Sequence, residues 1–452
     1  MEYISPGLTY LSRFLFSVII LPCVILWTLQ TVLIPSNFSV PTGLVLVALL
    51  VLRITVHLLR GLITDFTIHR EAAAQGALIL PSVQGNSISN LQRTSNRFKS
   101  GYPSEVFQEW SKEYGNAFSF NIFSNRQVFT SGPEHIKALL ATQFQDFWRG
   151  SLSVSAAKAF IGVGVFNSDN EMWKFHRTMT RPFFNKDRIS DFDNFERHAV
   201  STIAQIKARL REGYPVDFQD VVARFTLDSA TEFLFGRDVN SISAGLPYPA
   251  GSPLAGDLHF VNHPSNIFGT ALARANEYTV ARGERGHFWP LYEIFSDKVK
   301  PHRRALDDFS RPMLDEALDR KAKGIKSGDA EKSVENMSLL DRLVEDIDDP
   351  KVIQDEIINV LAASRDTTAS LLTFVMYMLC EHPSMASRIR AEILEKVGTW
   401  RPTYEDIRDM KYLRAFLNET LRLYPAVANN FRFRVLYVYI DIGHYANLKR
   451  NF

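Results

Sequence analysis

Cysteine is nearly absent. Only Cys23 and Cys380 occur in 452 residues, far apart and each in an apolar context, which excludes a disulfide scaffold and a zinc cluster and fits a reducing compartment. An excess of one charge is lacking too: 51 Lys and Arg stand against 49 Asp and Glu, so nothing implies a nucleic-acid partner. No internal repeat and no low-complexity segment is present, so the chain is not a repeat array. What it has in quantity is phenylalanine, 33 in all, which favours a roomy apolar interior. The length suits one large domain or two ordinary ones.

Charge is also missing locally. Phe14 to Ile34 carries none over 21 residues, and at a rise of about 1.5 Å per residue such a run spans about 30 Å, the thickness of a bilayer core. Pro22 lies within it, which a membrane helix tolerates. Arg13 is the one cation before it, and no small-residue cleavage site follows, so it does not read as a secretory signal. A second run, Leu44 to Leu59, is interrupted by Arg53 and His57. It reads either as a second span or as an amphipathic helix lying on the membrane. Arg53, Arg60 and Arg70 place the downstream bulk on the cytosolic side.

From Gly61 onward the pattern is that of a folded, mixed chain. Pro81–Asn90 reads as a loop, as does Leu246–Pro253, and the charged stretch Ala322–Glu335 reads as a solvated one. Helical periodicity predicts helices over Ser104–Tyr114, Asp187–Arg211, Asp217–Phe235 and Pro301–Lys323.

The longest predicted helix runs from Asp349 to Glu381, capped by Asp349, with Pro350 at its first position and Pro383 past its end. Apolar residues at both ends predict that it is central and buried. Its middle reads Ala363-Ser364-Arg365-Asp366-Thr367-Thr368. Small residues there admit a flat ligand, and the Thr367 hydroxyl can bond back to the Ala363 carbonyl and open the helix locally. An acid followed by an alcohol suits a proton relay, but from the helix alone a satisfied polar patch, with Asp366 paired to Arg365 or a neighbouring cation, is the favoured reading. Trp173 and Arg177, four apart on one helix face, are donors without acceptor capacity and together suit an anion such as a carboxylate, or a surface Arg stacked on Trp. Glu419 and Arg422, three apart among Leu417, Leu421, Leu423 and Tyr424, predict an ion pair that is buried and architectural.

In this order and at these separations, the three motifs resemble the cytochrome P-450 superfamily, and the flanks Phe166–Lys186 and Phe225–Gly236 are similar to membrane-bound fungal members related to fatty-acid and alkane hydroxylases. The resemblance implies a mainly α, P-450-like helical domain with a small β part over residues 61–432, behind a membrane anchor over 1–60. It implies haem b, with Trp173 and Arg177 holding a propionate and Ala363 in the groove against it. Asp366 and Thr367 then deliver protons, and Glu419 and Arg422 brace the fold. It further implies a lipophilic substrate, electrons from NADPH through NADPH-cytochrome P-450 reductase, and an endoplasmic-reticulum membrane location with the main domain cytosolic.

The chain departs from that pattern in one large respect. Nothing like the family's F-x-x-G-x-R-x-C-x-G loop, whose thiolate holds the iron, occurs in it. After Arg432 it reads FRVLYVYIDIGHYANLKRNF. Cys23 lies in the membrane run, Cys380 lies about 20 Å along the helix axis from Asp366, and His444 has no supporting pattern. Residues 433–452 are expected to be non-family sequence, translated intron or frameshift, since the family pattern stops abruptly and every valine codon, including that of Val435, begins with GT. The expectation is a chain without monooxygenase activity of its own. A competing reading is a non-catalytic membrane-bound fragment or pseudoenzyme that binds lipid or competes for the reductase. Ser364, where many members have Gly, is expected to narrow the distal groove.

Overall fold

The structure, a computed structural model, describes residues 4–20, 22–24, 28, 42–100, 105–122, 125–184, 192–323 and 337–434. The chain divides into two compact units, one of residues 1–148, 284–297 and 432–452 and the other of residues 149–283 and 298–431.

The first unit opens with α1 (Pro6–Leu15), whose N-cap Ser5 accepts from the Leu8 N–H while Pro6 occupies a position where no N–H is needed. α1 gives way to a π turn at Phe16–Ile20. Most of the remaining Phe14–Ile34 run lies outside the described residues. The Leu44–Leu59 run falls inside α2 (Thr42–Gln75). Among the described residues no helix is long and apolar enough to cross a membrane.

The loop expected over Pro81–Asn90 is shorter than its composition implied. The Asn86 side chain accepts from the Ser89 N–H at 2.8 Å and its carbonyl from Asn90, so α3 (Ser87–Ser100) starts there; an Asx cap, not a turn, is what the polar residues provide. α4 (Glu105–Tyr114) lays Val106 and Trp110 against the antiparallel hairpin of β1 (Ala117–Ile122) and β2 (Asn125–Thr130). Trp110, Phe118 and Phe120 are buried there, with Phe107 stacked on Phe129. A second, two-residue pairing joins β3 (Phe147–Trp148) to β4 (Phe433–Arg434).

The second unit is helical. Its elements are α5 (Ser151–Ile161), α6 (Asn170–Thr180), α7 (Phe192–Arg211), α8 (Phe218–Phe235), α9 (Pro264–Glu284), α10 (Lys300–Ala322), α11 (Leu339–Asp346), α12 (Pro350–Glu381), α13 (Pro383–Lys396), α14 (Tyr404–Asp409) and α15 (Lys411–Leu423). α8 begins at Asp217, which caps the Asp220 N–H, and ends at Gly236 in the left-handed conformation that a side chain resists. Of the predicted Asp187–Arg211 helix, residues 187–191 lie outside the described set, as do 324–335 of the solvated stretch.

α12 organises this unit. Asp349 caps the Lys351 N–H and Pro350 takes the first position, as its sequence predicts. Ile353, Ile357, Ile358 and Leu361 are fully buried with Leu227, Leu234, Leu272, Leu306, Leu339 and Leu343 from α8 to α11. Each such side chain contributes about 2–3 kcal/mol of burial as an upper figure. The expected burial of the whole helix does not hold. From Thr367 to Cys380 most residues are half-buried or exposed, Ala369 excepted. This half packs on α13 and α15, where Phe374 stacks on Tyr424 at 4.4 Å. Glu392 of α13 fixes the start of α15 by accepting from the Tyr412 and Leu413 N–H groups, both at 2.8 Å.

Candidate functional site

The middle of α12 bends its polar side chains back onto its own backbone. The Thr367 hydroxyl donates to the Ala363 carbonyl at 2.7 Å, Ser364 to Val360 at 2.8 Å and Thr373 to Ala369 at 2.7 Å. Each such bond competes with the helix's own hydrogen bond and opens it slightly. With its hydroxyl so engaged, Ser364 does not extend into the groove as a free polar group. Asp366 is held by its neighbour: Arg365 Nη1 donates to Oδ1 at 2.6 Å, with the carboxylate 44% exposed and the guanidinium largely buried. The expected pairing of Asp366 with Arg365 is present, and beside it stands an alcohol whose oxygen can still accept.

Trp173 is half-buried and Arg177 exposed on α6. Among the described residues Arg177 has no carboxylate partner, so its fork of donors is available to an outside anion. Glu419 and Arg422 do pair, Nε to Oε2 at 2.7 Å and Nη2 to Oε1 at 2.6 Å, and the guanidinium holds the Glu419 carboxyl below the usual range. The expected burial of this pair is not found: the two side chains are 55% and 66% exposed. α15 turns Phe416 and Thr420 inward instead, which puts Glu419 and Arg422 on its outer face.

Sequence reasoning missed the contacts that tie α6 to α12. Three polar side chains on one face of the buried half, Asp355, Glu356 and Asn359, grip the loop between α5 and α6. Val163 N–H donates to Asp355 at 3.0 Å, Val165 N–H to Glu356 at 3.1 Å and Phe166 N–H to Asn359 at 3.2 Å. Asn359 returns a bond to the Ile161 carbonyl at 2.6 Å. Arg303 of α10 pairs with Asp355 at 2.6 Å and with the Phe160 carbonyl at 2.8 Å. Beyond the loop, His176 of α6 brings Nδ1 to 3.0 Å from Glu356 Oε2, both side chains fully buried. The signal was an acidic pair and an amide at helical spacing inside the run VIQDEIINVL, with the glycines of IGVGVF far upstream.

For a haem this arrangement would offer propionate donors: His176 is followed directly by Arg177, whose guanidinium has no carboxylate partner among the described residues, and its partner Glu356 lies on the same helix as Asp366, about 15 Å earlier along the axis. Ala363 is a small residue on the same helix, and among the described residues the buried His176 Nε2 has no hydrogen-bond partner. As an iron ligand Cys380 is poorly placed, since it is exposed, on α12 itself and about 21 Å past Asp366.

The cytochrome P-450 family profile matches residues 88–445. The chain is similar to cytochrome P-450 52A3-B of Candida maltosa, 36% identical over 317 residues that make up 68% of this chain and 56% of that protein. It is similar to cytochrome P-450 52A6 of Candida tropicalis, 37% identical over 319 residues, 68% and 56% of the two chains. It is also similar to the cytochrome P-450 monooxygenase pvhE of Talaromyces variabilis, 32% identical over 326 residues, 69% and 56%. The chain belongs to the cytochrome P-450 family. It spans a little over half the length of these relatives.

Proposed function

We propose that this chain carries the distal, proton-handling part of a haem-thiolate monooxygenase acting on a lipophilic substrate such as a fatty acid or alkane. The observation that carries the reading is the pairing of an arginine-held acid, Asp366, with a back-bonded alcohol, Thr367, at the middle of the long central helix. Haem, when bound, supplies reductive activation of dioxygen: one oxygen atom enters the substrate, the other leaves as water, and two electrons come from NADPH through a reductase with two protons from solvent. Trp173 and Arg177 would donate to a propionate of the bound haem, and Ala363 would offer it a small surface. Asp366, part-exposed and turned by Arg365, takes protons from water. The Thr367 oxygen accepts a hydrogen bond and passes its own proton inward when its bond to Ala363 loosens. Glu419 and Arg422 brace the region that follows α15. Residues 1–60 hold the protein to the endoplasmic-reticulum membrane with the bulk in the cytosol, a reading supported by the charge-free run and the arginines after it.

A second reading, a non-catalytic membrane-bound relative, is favoured by the position of Cys380, too far along α12 to reach the groove beside Asp366. Hemin titrated into the 452-residue chain tests both. The expected result is saturable binding that quenches tryptophan fluorescence and weakens about tenfold in Arg177→Leu, with no thiolate-type Soret band on reduction under carbon monoxide. Hemin binding that ignores Arg177 would remove the propionate assignment, and a thiolate band from this chain would overturn the second reading.

A further inference from the structure

The grip of α12 on the loop before α6 is fitted from both sides. Gly162 stands at φ +61°, and a Cβ there would run into the Asp355 carboxylate. A Cβ on Gly164 would come within 2.5 Å of Asn359 Nδ2 and 2.7 Å of Glu356 Oε2. The loop backbone thus reaches these side chains because it has none of its own at two places. Asp355, Glu356 and Asn359 are 5%, 0% and 1% exposed, so the acceptors the loop amides reach are themselves shielded from water.

Glu356 differs from the other two. One oxygen, Oε2, serves both the Val165 N–H of the loop and His176 of α6. Among the described residues its other oxygen, Oε1, is buried with no partner, and neither ring nitrogen of His176 makes an aligned hydrogen bond. Loop capping alone does not require the His176 contact, because the three loop amides are already bonded without it. The contact instead fixes the rotation of α6 about its axis at the residue between Trp173 and Arg177 in the run Trp173-Lys174-Phe175-His176-Arg177. A turn of α6 that broke it would swing the Arg177 guanidinium by the same angle.

We propose that Glu356 and His176 are positioning residues for the propionate donors, locking α6 so that Trp173 and Arg177 face one anion. The proposal rests on the haem reading above. It predicts that the polar character of the pair, not its volume, governs haem seating.

The test uses the full 452-residue chain with hemin as the probe, and hydrogen exchange of residues 161–180 as a haem-independent readout. Glu356→Leu fills the space without an acceptor. It should raise exchange at Val165 and across α6 at least tenfold and weaken hemin binding by about ten- to a hundredfold. Glu356→Gln keeps an acceptor for Val165 and a polar partner for His176, and should restore both to within about threefold. His176→Leu should weaken hemin binding by about tenfold and shift the propionate bending bands in resonance Raman spectra, while Val165 stays protected. Far-UV circular dichroism identifies a variant that does not fold, and Glu356→Gln and His176→Leu then decide the matter. Hemin binding unchanged in His176→Leu, or no rescue by Glu356→Gln, overturns the positioning role. If the unaltered chain binds no hemin while its Val165 amide is protected, the haem reading fails and the pair is a structural brace only.

Discussion

Gly162 ends α5 in a backbone conformation that side chains resist, directly beneath the Asp355 carboxylate. Gly162→Ala would have to accept both the strained φ and the collision, and Asp355 cannot retreat because Arg303 and the Val163 N–H hold it. The expected cost is about 3 kcal/mol or more of stability, read as a lowered urea midpoint with an unchanged slope. The contrast with Glu419 and Arg422 is informative at the same scale. That pair has near-ideal two-pronged geometry, yet it lies open to water and contributes little to stability by itself. An arginine's worth here is set by what covers it. Arg303, nearly sealed and held by Phe160, Asp307 and Asp355, is an arginine whose partners cannot all be removed without leaving a buried charge.

The helices divide unevenly in how tightly they are held. α12 is packed on all sides from Ile353 to Leu361 but only partly covered beyond Thr367. Its amides should therefore exchange on two scales, slowly over 353–361 and at least a hundredfold faster over 371–381, as measured by mass spectrometry of the intact chain. A uniform rate along α12 would contradict this. Much of α12 was legible beforehand: Asp349, Pro350 and Pro383 are local signals, and local signals fix where a helix starts and stops. The Thr367 back-bond was legible for the same reason, since it joins residues four apart. Burial was not, because it depends on which other elements arrive. The flanks of Glu419 look apolar in sequence, but α15 offers Phe416 and Thr420 to its neighbours and leaves the ion pair outside. The clamp on Ile161–Phe166 was illegible for a related reason. It joins residues almost two hundred positions apart, and a buried Asp-Glu pair reads as a solvated face until the glycines that approach it are seen in place. Asn86 shows the smaller version, a cap mistaken for part of a loop.

For the molecule as a whole, the N-terminal 60 residues are the part whose removal is most easily measured. Deleting residues 1–60 should weaken membrane retention, and alkaline-carbonate extraction that releases the intact chain would count against a true span. That deletion also has a cost that the idea of a detachable anchor overlooks. α1 does not stand clear of its unit: Ser5 donates to the Ile294 carbonyl, and Gly7 sits so close to the strap of residues 286–294 that a Cβ there would lie 2.5 Å from Ile294 Cα and 2.6 Å from the Pro290 carbonyl. Two backbones touch at that point with nothing between them. Cutting the anchor away therefore also unroofs the strap, leaving its main chain wet beside Phe288, Tyr292 and Phe295, which are already exposed. A shortened protein prepared for solubility would carry a fresh adhesive patch where its first helix had been.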